Sequence, residues 1–139
     1  MARAAYLADT SAFARLAKPT VREAFAPLVA QGAVAVCAPV VFELGYSARS
    51  LADHQAITDR FDAFERIPVT DGDHRRAIEL QRLLAERGHH RALSLVDALV
   101  AAIAEARGLT VLHYDADLEL VANVTSQSHQ WIAERASAD

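Results

Sequence analysis

The sequence contains one cysteine, Cys37, so no internal disulfide can form. It lies in Ala33-Val34-Ala35-Val36-Cys37, where it reads as a small buried hydrophobe. No apolar run is long enough to span a bilayer, and Met1-Ala2-Arg3-Ala4 does not open a signal peptide. The expected location is therefore cytoplasmic, with no membrane partner. A Gly-rich phosphate loop is missing; Gly32, Gly88 and Gly108 read as helix stops. The six histidines make no His-Glu-x-x-His and no Cys/His zinc spacing, and His89-His90 fall together in an expected loop. His113 and His129 read as packing or surface residues, with His113 near Asp115. Lysine is almost absent, with thirteen arginines against Lys18 alone. No repeat, low-complexity tract or linker divides the chain.

The 139 residues suit one compact domain, 1–139, and 53% hydrophobic with 23% charged residues marks a globular, helix-rich chain. The net charge of −4 is not that of an obvious nucleic-acid binder. A divalent ion among the acids would reverse the local sign, however, and arginine suits bidentate phosphate contacts.

Four acids stand beside apolar runs. Asp9 closes Tyr6-Leu7-Ala8, and Glu43 follows Val40-Val41-Phe42. Asp97 lies in Leu95-Val96-Asp97-Ala98-Leu99-Val100, and Asp115 closes Thr110-Val111-Leu112-His113-Tyr114. Carboxylates are rarely buried unless paired or bound to metal. Each acid also has a plainer role available. Asp9 and Asp115 suit helix caps, Asp97 suits the third position of a capping box begun by Ser94, and Glu43 suits a solvated helix face. Asp117, close behind Asp115, suits the first turn of a helix.

The order of elements favours one shared site. Strands are expected over residues 5–9, 33–37, 66–69, 109–113 and 129–132. Helices are expected after Thr10-Ser11, from Pro19 to Gly32 with a kink at Pro27, from Pro39, over 51–65, over 73–87, from Ser94 to Gly108, and after Asp115. Strands alternating with helices imply an α/β fold, a mostly parallel central sheet with helices on both faces. Asp9 and Asp115 then end strands at the carboxyl edge. Glu43 sits early in a helix leaving that edge, and Asp97 at the start of a helix that runs back from it. Open α/β sheets bind ligands there.

These segments together resemble the PIN-domain ribonucleases, in size and coverage the VapC toxins of bacterial VapBC toxin–antitoxin pairs. The matching residues are Leu7-Ala8-Asp9-Thr10-Ser11-Ala12, Val41-Phe42-Glu43-Leu44, Leu95 to Ala102, and Leu112-His113-Tyr114-Asp115-Ala116-Asp117-Leu118. The resemblance implies a PIN-like three-layer fold, with Asp9, Glu43, Asp97 and Asp115 as the catalytic acids and Asp117 as an auxiliary one. Thr10 or Ser11 would support Asp9. His113 stands where many relatives carry Thr or Ser, and Leu118 where Phe is common.

Hard oxygen ligands suit Mg²⁺ or Mn²⁺. Asp9 and Asp97 are expected as direct ligands. Asp115, with Asp117 beside it, would hold a second ion or a bound water, and Glu43 would act through water or orient the nucleophile. The resemblance further implies endonucleolytic cleavage of RNA, a small VapB-type antitoxin over the site, a homodimer, and contact with operator DNA only through the antitoxin. Phe13, Leu16, Val21, Phe25 and Leu28 are candidates for an apolar antitoxin groove.

Other acid-cluster classes fit less well. A haloacid-dehalogenase phosphatase needs a second aspartate where Ser11 stands. A phospho-receiver needs a late lysine, and Lys18 is early. An inactive, protein-binding PIN-like module, or another acid-cluster phosphohydrolase, remains the alternative.

Overall fold

The structure, a computed structural model, describes residues 4–139; the reading of Met1 to Arg3 lies outside them. Five strands, β1 (Tyr6–Ala8), β2 (Val34–Cys37), β3 (Glu65–Ile67), β4 (Thr110–His113) and β5 (His129–Trp131), form one sheet in the order β3-β2-β1-β4-β5. Every pairing is parallel, with Tyr6 level with both Val34 and Thr110, Ala35 with Glu65, and Val111 with His129. The central strands are short apolar runs, and β2 is buried along its whole length, as a sheet covered on both faces requires.

Seven α-helices connect them: α1 (Thr10–Phe13), α2 (Pro19–Ala30), α3 (Ala38–Tyr46), α4 (Leu51–Asp59), α5 (Asp71–Ala85), α6 (Leu95–Arg107) and α7 (Asp117–Thr125). Right-handed crossovers put the helices between β1, β2 and β3 on one face and those leading to β4 and β5 on the other. The packing agrees: α5, α6 and α7 touch one another, as do α1 with α3 and α3 with α4. The three-layer α/β architecture is as expected. Helix α6 is central. Seven consecutive residues, Ala98 to Ala104, are buried, so it is apolar around its circumference. Gly108 ends it in the left-handed conformation at φ 65°, and Leu109 N–H donates back to the Ala104 carbonyl at 2.9 Å.

Several boundaries differ from the sequence expectation. Asp9, not Thr10 or Ser11, caps α1, because its short carboxylate reaches the Ser11 N–H. The expected helix over 51–65 stops at Asp59 and tightens into a 3₁₀ turn, Arg60–Ala63, which buries Phe61 before β3 starts at Glu65. Helix α5 begins earlier than expected because Thr70 and Asp73 form a capping box. Ala116 rather than Asp115 occupies the cap position of α7. Helix α2 ends at Ala30, with Pro27 inside it.

The first crossover also changes the expected groove. Val21 is fully buried, so it belongs to the core. Leu28 packs against the core, outside the cleft that does form. That cleft, about 370 Å³, is lined by Phe13, Leu16, Phe25, Val29, Phe61 and Phe64 among others. Phe13 meets Phe25 and Phe61 edge to face, at 5.3 and 5.0 Å between ring centroids.

Candidate metal centre and its surroundings

Asp9, Asp97 and Asp115 each offer a carboxylate oxygen to one group whose atoms lie within 4.8 Å of one another. Parallel register produces this. Ala8 is level with Leu112, so the chain leaves β1 and β4 side by side, and α6 starts at the same edge.

Each carboxylate has one oxygen engaged. Asp9 Oδ2 accepts from the Ser11 hydroxyl at 2.6 Å and the Ser11 N–H at 3.1 Å. Asp97 Oδ2 accepts the Ser94 N–H at 3.3 Å, while Ser94 Oγ accepts the Asp97 N–H at 3.1 Å. Asp115 Oδ1 accepts the Asp117 N–H at 2.9 Å. The second oxygen of each acid accepts nothing from the described residues. At Asp9, only 1% exposed, Oδ1 is a buried acceptor without a partner. Such an atom normally costs stability unless something fills its lone pairs.

The acids disturb each other's protonation. Burial, then the nearby Asp115 and Glu43, hold the Asp9 carboxyl above its ordinary range against the lowering effect of Ser11. Burial, followed by Asp9 and Asp115, pushes Asp97 up to about 7. Three carboxylates this close cannot all ionise cheaply, since two charges about 4 Å apart repel by roughly 4 kcal/mol at an effective dielectric near 20. A divalent cation with oxygen preference satisfies the orphaned oxygen and the charge together.

Glu43 stands outside the tight trio. It is half-buried on α3 and close enough to act on Asp9. Asp117 also lies outside; burial and then Asp115 raise its carboxyl. Between the two expected hydroxyls, Ser11 supports Asp9, while Thr10 Oγ1 is buried and unpartnered. Cys37 is buried, its thiol pushed up to about 11 by that burial, which leaves it inert.

His113 has a role that its sequence neighbourhood did not disclose. It is fully buried, and burial followed by His129 lowers it to about 4, so it is neutral. The Asp115 N–H donates to His113 Nδ1 at 3.1 Å. Nδ1 therefore carries no proton, and Nε2 donates to His129 Nδ1 at 2.9 Å. The pairing of β4 with β5 brings the two rings together, setting Val111 level with His129 and His113 with Trp131.

The PIN-domain family pattern matches residues 6–124, most of the chain. The chain belongs to the PIN-domain family. Among its relatives, Ribonuclease VapC51 of Mycobacterium tuberculosis is 46% identical, covering 96% of this chain and 97% of the relative. Ribonuclease VapC21 of the same species is 40% identical with equal coverage. These place the chain in the VapC branch. Its fold is similar to that in a DNA-bound VapBC structure from Salmonella typhimurium, with a TM-score of 0.75 at 20% identity, covering 94% of this chain and 99% of the other. VapBC-5 from Mycobacterium tuberculosis, described as a member of the VapBC toxin–antitoxin family, gives a TM-score of 0.64 at 26% identity, covering 93% and 98%.

Proposed function

We propose that this single-domain PIN protein is a Mg²⁺- or Mn²⁺-dependent endoribonuclease, acting in the cytoplasm as the toxin of a VapBC-type pair. The observation that carries the reading is the carboxylate trio, one of whose members, Asp9, keeps Oδ1 buried and unpartnered. The names of the VapC relatives supply the substrate class, RNA.

Asp9, Asp97 and Asp115 would hold the ion through the oxygens that the protein leaves unused, with Asp117 adding charge behind Asp115. A bound divalent ion supplies Lewis acidity for the phosphodiester and lowers the pKa of water. The residues do the positioning. Ser11 fixes the rotamer of Asp9, the Ser94 box fixes Asp97, and His113 fixes the backbone of Asp115. Glu43, close enough to act on Asp9, would bind the ion through water or orient the attacking water.

The partners follow the same branch. The aromatic-lined cleft beside α2 suits the apolar face of an antitoxin helix. Phe42 and Tyr46, one helical turn apart on α3 and 79% and 88% exposed, suit contact with a second copy of the chain. Operator DNA would be reached only through the antitoxin.

Purified protein incubated with total bacterial RNA tests the reading. Cleavage is expected with Mn²⁺, none with EDTA, and inhibition is expected on adding the antitoxin encoded beside the gene. RNA that stays intact with Mn²⁺ would overturn the ribonuclease assignment.

A further inference from the structure

A second cleft, about 230 Å³, opens beside Asp115 and is walled by Arg15, Tyr114, Trp131 and Arg135, together with Asp139 from the tail that follows β5. The volume exceeds the roughly 30 Å³ share of one water several-fold. Arg15 lays its guanidinium over the Tyr114 ring, 4.5 Å from the centroid, and its Nη1 donates to the Ser11 carbonyl at 3.5 Å. No carboxylate among the described residues makes an ion pair with it. Arg135 lies over Trp131 at 5.6 Å and reaches Glu119 at 3.4 Å. The two rings meet edge to face at 5.2 Å, and the Trp131 indole N–H donates to Glu119 at 2.9 Å. Two cations are thus held on two touching aromatic side chains, and Arg15 is in no ion pair with a described residue.

An arginine stacked by its face keeps its N–H edge free, and that planar fork matches a phosphate. Two carboxylates share the cleft. Asp115 belongs to the acid trio, where a divalent ion would offset it. Asp139 Oδ1 is already engaged by the Tyr114 hydroxyl at 2.9 Å. We infer that this cleft is a phosphate subsite of the nuclease, in which Arg15 binds an RNA phosphate flanking the one cleaved and Arg135 closes the outer wall. The inference rests on the ribonuclease reading above. Asp115 lines both the cleft and the metal centre, so a strand whose scissile phosphate sits on the trio passes directly into the cleft.

Initial rates of Mn²⁺-dependent cleavage of total bacterial RNA, measured against RNA and salt concentration, test it. Arg15→Ala should raise KM about tenfold, the worth of one charge-assisted contact, with kcat within about twofold of wild type. The plot of log kcat/KM against log salt should flatten by about 0.7, one single-strand phosphate contact. Arg15→Gln keeps an aliphatic stem over Tyr114 and should show the same loss, which guards against a folding defect in the alanine variant. Arg15→Lys should recover much of the salt slope, and Arg91→Ala, an exposed arginine outside the cleft, should leave KM and slope unchanged. A wild-type KM and slope in Arg15→Ala, or a fall in kcat with the slope preserved, would overturn the subsite while leaving the ribonuclease standing. Wild-type protein that does not cut RNA would remove both.

Discussion

Ser11 holds Asp9: its hydroxyl donates to Asp9 Oδ2 at 2.6 Å and accepts the Tyr114 N–H at 2.8 Å. One side chain therefore locks the first acid to the strand that delivers Asp115. Ser11→Ala leaves the Tyr114 N–H without its partner and frees the Asp9 rotamer. A stability loss of roughly 1–3 kcal/mol is expected in denaturant unfolding. Mn²⁺ affinity should fall with it. A variant with wild-type stability and affinity would show that the link is incidental.

The His113–His129 pair sets a second support. His113→Leu removes the acceptor for the Asp115 N–H. Metal affinity should drop about tenfold or more, the usual effect of losing a group that orients a ligand. His113→Asn places an amide oxygen near the position of Nδ1 and should restore much of the affinity, whereas His113→Gln, reaching toward His129, should not. Titration of Mn²⁺ by calorimetry on the three variants distinguishes these outcomes.

Far from the site, Arg107 ties three segments. Its Nη1 donates to the buried Asp73 at 2.9 Å and to the Ile103 carbonyl at 3.4 Å, and Nη2 donates to the Pro68 carbonyl at 3.1 Å. Arg107→Ala strands the Asp73 charge, so unfolding should cost about 3 kcal/mol less than in wild type. Cleavage per folded molecule should be unchanged, which an assay below the melting transition would check.

The acids were legible because each closes or opens an apolar element, and a parallel sheet brings such ends to one edge. The parallel sheet with helices on both faces followed from the alternation of elements, and the burial of Cys37 from its apolar run; the strand order did not follow from either. The supports were not legible. His113 and His129 are sixteen positions apart, and their contact depends on the β4–β5 register. Arg15, Tyr114 and Trp131 meet only because β4 lies between the end of β1 and β5, ninety-nine and more positions along the chain from Arg15. The extent of the helix beginning at Leu51 was also hidden, since Phe61 and Phe64 fit a helical stripe equally well as the 3₁₀ turn and bend that bury Phe61 in place.

Asp97 makes stability depend on pH. Its folded carboxyl lies near 7 and its ordinary value is 3.8. A raised folded value means the native state binds the proton more tightly, so stability is greatest at low pH and is lost as pH rises from about 4 through 7. His113, held neutral with its value lowered to about 4, works the other way over the same interval and is common to wild type and Asp97→Asn, so comparing the two proteins isolates the acid. Asp97→Asn keeps an acceptor for the Ser94 N–H but no charge, so in EDTA its melting temperature should gain on that of wild type as pH rises from 5 to 7.5, and exceed it at pH 7.5. Mn²⁺ should raise the wild-type value at pH 7.5, and less so at pH 5. A melting-temperature difference between the two proteins that stays the same from pH 5 to pH 7.5 in EDTA would contradict the strained acid cluster.

The most direct measurement is a calorimetric titration of Mn²⁺ into wild type, Asp97→Asn and the exposed control Asp62→Asn near pH 6.5, in two buffers of different ionisation enthalpy. If Asp9, Asp97 and Asp115 form the metal centre, wild type and Asp62→Asn should bind the ion equally and release a fraction of a proton. Asp97→Asn should bind at least about tenfold more weakly and release less. Equal affinity and equal proton release in all three proteins would contradict the assignment of the metal centre.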